Sequence, residues 1–368
     1  MKLTAKVSWL MGTVPRTVCP HLAACRAAPL TAQDKRLVKI LARVRLEHAV
    51  PKSASRQCLG RPLKAREAIA RALVAKAVLG SPHTRAVRQA LRTAATLRTL
   101  CGFATRSAVP SASTGARACA ECARGGLATA RHDALVQENL ETVLRGHRSR
   151  DATAIQGREQ PVKKVQEPTV PRKKGRPAKG GPQEPREPTR LAVQRQQAAQ
   201  DAIALLPTAC DRGGKKNATG DTDPWNGCTL PVDVNERGLP VSALLPSASV
   251  PERQVAIPLM PWTSPTVPAC SDLLDAAEDA GPIGEPSRAR GQVPIIARNP
   301  RGGAVVPMAP HEAQRSNERT ASERCNGRLK DAVGGRNVMV QGARKVLSHL
   351  LCGVVALCAA PLLTVTGC

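Results

Sequence analysis

The sequence predicts an α/β protein preceded by an all-helical region. Three observations carry this. Apolar residues recur at helical spacing from about residue 34 to 132, strand and helix patterns alternate towards the C-terminus, and residues 157–200 between them are polar with no apolar periodicity. The expected organisation is an irregular stretch over 1–30, a helical domain over 31–132, and an α/β domain over 133–366 that carries residues 157–200 as a basic, Pro-rich insertion.

In the helical part, "KAREAIARALVAKAVLG" places Ile69, Leu73, Ala77 and Val78 on one stripe and stops at Gly80. "SPHTRAVRQALRTAATLRTLCGF" restarts with Ser81 as N-cap and Pro82 in the first turn, and a third helix follows "VPSAST". Short basic helices with tight turns suit a DNA-binding module of helix-turn-helix type, and equally any small helical bundle. "HDALVQENLETVLRG" has the pattern of a further helix, and "RSRDATAI" that of a short strand. Inside the insertion, "PRKKGRPAKGG" resembles an AT-hook, with Lys174 and Arg176 placed for the narrow minor groove or for plain phosphate contact.

Beyond the insertion, "TLPVDVNERGLPVSALLPSAS" gives two strands around a Glu-Arg-Gly turn. "SDLLDAAEDAGPIGEPSRARGQVPIIARNPRGG" follows as strand, helix, strand, and "RSNERTASERCNGRLKDAVGG" as the next helix. The closing "KVLSHLLCGVVALCAAPLLTVTG" is apolar over about the length of a membrane span. His349 at its start, Pro361 near its end and its small residues favour a buried terminal helix instead.

A net charge of +27 over 368 residues points to a polyanionic partner, nucleic acid before anionic membrane. There is no Tyr, one Phe and three Trp, so the core must be built from Leu, Val, Ala and Cys and is expected to be less stable for it. The thirteen cysteines are scattered and mostly lie in apolar runs, and "MKLTAKVSWLMGTVPRTVCP" offers only a short, interrupted apolar region as an export signal. Reduced, buried thiols in a cytoplasmic protein are expected. Cys119 and Cys122 form a CxxC with no second pair or His at ligand spacing, so zinc is not expected.

Three acids stand at the ends of expected elements: Asp151, Asp275 and Glu323. Separated carboxylates brought together on an α/β sheet suit two divalent cations about 3.5–4 Å apart, which activate an attacking oxygen and stabilise a leaving one in phosphodiester chemistry. Each acid alone also fits an ordinary surface position.

Several segments resemble the DDE transposases of bacterial insertion sequences, from about residue 31 to 366. They include "GRPLKAREAIARALVAKAVL", "CGFATRSAVPSAST", "LPTACDRGGKKN", "QVPIIARNPRGG" and, most specifically, "ERTASERCNGRLKDAVGGRNVMVQGARKV". That family's signature is a Tyr, two residues, Arg, three residues, Glu, six residues, Lys; Ser316, Arg319, Glu323 and Lys330 stand at these positions. The resemblance implies a ribonuclease-H-like catalytic domain with Asp151, Asp275 and Glu323 as ligands of a two-metal Mg²⁺ (or Mn²⁺) site. Asp233 is the alternative first ligand and Asp279 the alternative second. Arg319 and Lys330, with Arg324 beside the acid, would face phosphates. The implied reaction is hydrolysis at transposon ends, freeing a 3′-hydroxyl that attacks target DNA. The implied partners are double-stranded DNA, both terminal inverted repeats and target, and a second copy of the chain on that DNA. Nucleoid association is implied as well, and no membrane is involved. A non-catalytic basic DNA-binding protein is the competing expectation.

The departures from the family are mostly lost aromatics. Ser316 replaces the signature Tyr, Glu278 stands where Tyr is usual, and Cys228 and Thr229 stand where a Tyr and a Lys are expected. Gly115, Cys119, Cys122 and Cys352 likewise occupy aromatic positions. These cysteines are therefore expected in the core, and losing several core aromatics at about 3–5 kcal/mol each implies a weakened, degenerate copy.

Overall fold

The structure is a computed structural model, describing residues 30–51, 65–140, 145–163, 188–216, 219–263, 269–279, 281–299, 304 and 306–365. Helix α1 (Ala32–Val44) opens with a capping box in which the Thr31 hydroxyl accepts from Asp34 N and the Asp34 side chain accepts from Thr31 N. A 3₁₀ turn (Leu46–Ala49) follows, entered through Arg45 at φ +44°. Helix α2 (Arg66–Val78) is buried on almost every side, because its alanines 68, 70, 72, 75 and 77 let neighbours approach where the expected stripe would have left polar flanks.

The end of α2 also corrects the expected start of the next helix. Gly80 N donates to Ala77 O and Ser81 N donates to Lys76 O, with Gly80 at φ +60°, a Schellman closure. Ser81 thus ends α2 rather than capping the next helix. Helix α3 (Thr84–Thr93) begins later, with no side-chain cap. It continues through α4 (Ala95–Leu100) into α5 (Ala112–Arg124), whose N-cap is Ser111, so that helix starts inside "VPSAST" rather than after it. Helix α6 (Leu127–Leu140) completes the helical region.

The sheet then begins with β1 (Arg145–Gln156), longer than the short strand expected because it pairs along most of its length with β3 (Thr222–Asn235). Between them, two short helices, α7 (Arg190–Gln194) and α8 (Ala199–Ala204), occupy the end of the expected insertion, and β2 (Asp211–Lys216) lies at the sheet edge. The insertion is structured there because Ala202 is buried and Gln194 donates to Gln254 O. The remaining elements are β4 (Pro240–Ala243), α9 (Arg253–Thr263), β5 (Ala269–Leu274), α10 (Gly281–Arg288), β6 (Val293–Ile296), α11 (Pro310–Ser316), α12 (Thr320–Ala332) and α13 (Ala343–Val365).

Strand order is β2-β3-β1-β5-β6, with β4 also on β3. β1 runs antiparallel to β3 and parallel to β5, and β5 parallel to β6. Alternation on the central strand gives the sheet two unlike faces. Arg148 and Arg150 point to one, where they meet Asp272 and Asp233. Ser149, Asp151 and Ile155 point to the other, with Leu230, Val232 and Val234 of β3. That second face joins Ala321, Cys325 and Leu329 of α12, α13 and the N-terminal helices in one hydrophobic core. Accordingly α13 is buried, through Leu350, Leu351, Val354, Val355 and Ala359. Among the described residues, no helix is long and apolar enough to cross a membrane.

Candidate active site

The sheet register brings the first two acids together. Ser149 pairs with Leu273, so two residues further on Asp151 lies alongside Asp275, just past the end of β5. Asp275 caps the 3₁₀ turn Ala276–Glu278, its Oδ1 accepting from Ala276 N at 2.7 Å. The third acid arrives from α12, which packs on the Asp151 face and carries Glu323 in its first turn. All three meet one guanidinium. Arg319, in the 3₁₀ turn Asn317–Arg319 leading into α12, lies 3.0 Å from Glu323 Oε1 and 4.0 Å from both Asp151 Oδ1 and Asp275 Oδ1.

One helical turn beyond Glu323, Asn326 Nδ2 donates to Asp151 Oδ2 at 3.0 Å and fixes that carboxylate's orientation. Lys330 comes one turn later on α12. Burial and the neighbouring Arg336 lower its pKa, while Asp151 acts to raise it. Arg324 is exposed. Of the alternative ligands, Asp233 is buried in a bidentate pair with Arg150, at 2.7 and 3.0 Å, and Asp279 accepts from Asn299 N at 2.9 Å. Lys174 and Arg176 lie outside the described residues.

Two groups in the site escaped the sequence reading. Glu252, just before α9, lines a small cavity with Asp151, Asp275 and Glu278 and forms an ion pair with Lys215 of β2 at 3.5 Å. Burial raises the Glu252 pKa, Lys215 opposes this, and Asp151 and Asp275 add to it. Burial lowers the Lys215 pKa, but the three carboxylates outweigh it and the net shift is upward. The only signal for Glu252 is an acid at the start of a helix that follows the β3–β4 hairpin; Lys215 lies within "LPTACDRGGKKN".

Glu278 forms the back of this cavity. Burial pushes its carboxyl up to about 8, Arg150 opposes the shift, and Glu252 and Asp233 reinforce it. Arg150 Nη1 is 3.9 Å away, too far to hydrogen-bond, and neither Glu278 oxygen has a hydrogen-bond partner. Desolvation therefore wins, and the group is largely protonated at neutral pH.

The donors are hard carboxylate oxygens, which suit Mg²⁺ or Mn²⁺ rather than a soft metal. Their arrangement is closed on Arg319, and among the described residues no group of three or more His, Cys, Asp or Glu is set to hold a metal ion. This includes Cys119 and Cys122, which face the core side of α5. Gly115 and Cys119 line a cavity of about 70 Å³ beside Phe103. Cys119 and Cys352 line an adjoining one of about 40 Å³, where Lys76 Nζ lies 2.8 Å from His349 Nδ1. The cysteines of the described residues are free, most of them buried.

Residues 26–120 match the family model of a transposase domain, DUF772. The match covers α1 to α4 and most of α5. The matched range ends before the sheet, and the acidic site lies outside it. No curated protein and no solved structure matches the chain.

Proposed function

We propose that this chain is a transposase of DDE type, cutting and joining DNA phosphodiesters at a divalent-cation site made by Asp151, Asp275 and Glu323. The observation that carries the reading is their convergence, from β1, the end of β5 and α12, on the single guanidinium of Arg319. The mixed sheet, with Asp151 on its central strand, supports a ribonuclease-H-like catalytic domain. Once bound, Mg²⁺ or Mn²⁺ supplies charge to activate an attacking oxygen and stabilise the leaving one. The chain's own groups provide the rest. Asn326 orients Asp151, the sheet register sets Asp275 beside it, and α12 brings Glu323 to the same Arg319. Arg319 has to exchange these carboxylates for a DNA phosphate, a move open to it because its side chain keeps 23% exposure. Lys330 and Lys215, both within the electrostatic reach of Asp151, would meet the same backbone.

A second reading, a DNA-binding protein without catalysis, is favoured by one observation: Arg319 already neutralises the acids that a cation would need. Incubation of the full chain with Mg²⁺ and a duplex carrying the DNA that flanks its gene on either side separates the two. Nicking and strand transfer by the wild type, lost by at least about 100-fold in Glu323→Gln, is the expected result. Equal inertness of both proteins while both still bind DNA would leave only the second reading.

A further inference from the structure

Between Glu67 and Glu121 the sequence contains no carboxylate, yet it carries Arg71, Lys76, Arg85, Arg88, Arg92, Arg98, Arg106 and Arg117. The fold removes two of these from the surface, since Arg71 pairs with Glu47 in the core and Lys76 meets His349 there. The others stay on α3 to α5 and, for Arg106, the connection before α5, with no acid of their own segment to offset them. Helix α3 concentrates them. Val87 and Leu91 are its buried stripe, and the opposite side carries Arg85, Gln89 and Arg92 at i, i+4 and i+7. Arg85 and Gln89 are exposed and Arg92 half-buried, and among the described residues none of the three forms an ion pair. Arg88, at the flank, is tethered by Nε to Pro110 O at 3.0 Å, which ties α3 to the turn before α5.

We propose that this face of α3 is the duplex-DNA docking surface of the chain, with Arg85 and Arg92 on phosphates or guanine edges and Gln89 on a base edge. The assignment rests on the preceding reading only in taking DNA as the partner. A ten-residue helix is about 15 Å long and fits a major groove about 12 Å wide. Arg and Gln are also the side chains whose forked donors and acceptors match base edges there. An anionic membrane is a poorer partner, because the face offers no apolar residue to insert. Duplex RNA is poorer too, because its deep, narrow major groove shuts out a helix.

The test is fluorescence anisotropy of the full chain with a labelled random-sequence DNA duplex across a salt series. R85Q/R92Q should bind at least about tenfold more weakly and lose about 2 from the slope of log affinity against log salt. R237Q/R253Q removes the same charge from two other exposed arginines and should change affinity less than about threefold. R85K/R92K should keep most of the phosphate term and shows that the helix still folds. Equal effects of the two glutamine pairs would overturn the assignment, as would tighter wild-type binding to duplex RNA or anionic vesicles. Binding lost in R85Q/R92Q together with no nicking by wild type supports α3 as the docking helix while removing the catalytic reading.

Discussion

Glu278 shows how one replacement alters a site's electrostatics. It stands where the family resemblance expects a Tyr, a side chain whose ordinary pKa lies near 10 and which is neutral when buried. A carboxyl in the same place is driven towards its protonated form, with burial pushing it up to about 8. The folded pKa lies above the unfolded carboxylate value of about 4.3, so the folded state binds the extra proton. Stability from this group is therefore fully present at low pH and is lost as pH rises from about 4.3 through 8. Glu278→Gln cannot ionise. Its unfolding free energy, measured by urea titration at several pH values, should lack the decline that the wild type shows between pH 5 and 8. Parallel pH profiles for the two proteins would show that Glu278 does not titrate as its surroundings require. The titration could not be seen in the sequence: the resemblance sets Glu278 at an aromatic position, but only the fold shows it buried beside the half-exposed Asp275.

Strands around turns were legible from the sequence because they write a local pattern. The β3–β4 hairpin and the alternation of β5, α10 and β6 follow it, whereas the cap of α5 was not read. Ser81 was misread because a Ser-Pro pair signals a helix start locally, whereas the closure of the preceding helix claims that residue. The loss of aromatics was also legible, but not what fills their space. Gly115 is the clearest case, since its α5 position faces the cavity beside Phe103. A Cβ built there meets only Thr84 Cγ2, at 3.9 Å, an ordinary contact. Gly115→Ala should therefore gain the helix-propensity difference of about 1 kcal/mol, with a small addition from filled space. The urea midpoint should rise with an unchanged slope. A lower midpoint would mean that α5 is held tighter against α3 than this geometry allows.

At the scale of the molecule, the three acids stand out in the sequence only as ends of expected elements and through the family resemblance, and their meeting depends on long-range register that no local pattern records. The same holds for the core. A boundary at residue 132 follows from the change of pattern, but it falls inside α6, and the largest apolar cluster runs from α1 and α2 through α12 and α13 to β1 and β3. Helix α13 supplies the link, with Leu350, Val354 and Cys358 buried among elements from both ends of the chain. Such a shared core makes the helical region and the sheet unfold as one unit, because separating them exposes apolar surface on both at about 25 cal/mol per Å². Far-UV circular dichroism reports mainly the helices. Tryptophan fluorescence, free of any tyrosine background, includes Trp225 on β3, whose Nε1 donates to Cys228 O. The two probes should give coincident urea transitions in the wild type. A chain ending at Gly342, without α13, should lose the cooperative transition in both probes rather than only in the helical one. Two separated wild-type transitions, with the fluorescence step retained in the truncated chain, would mean that the sheet and its acidic site fold independently of the helices that carry Arg85 and Arg92.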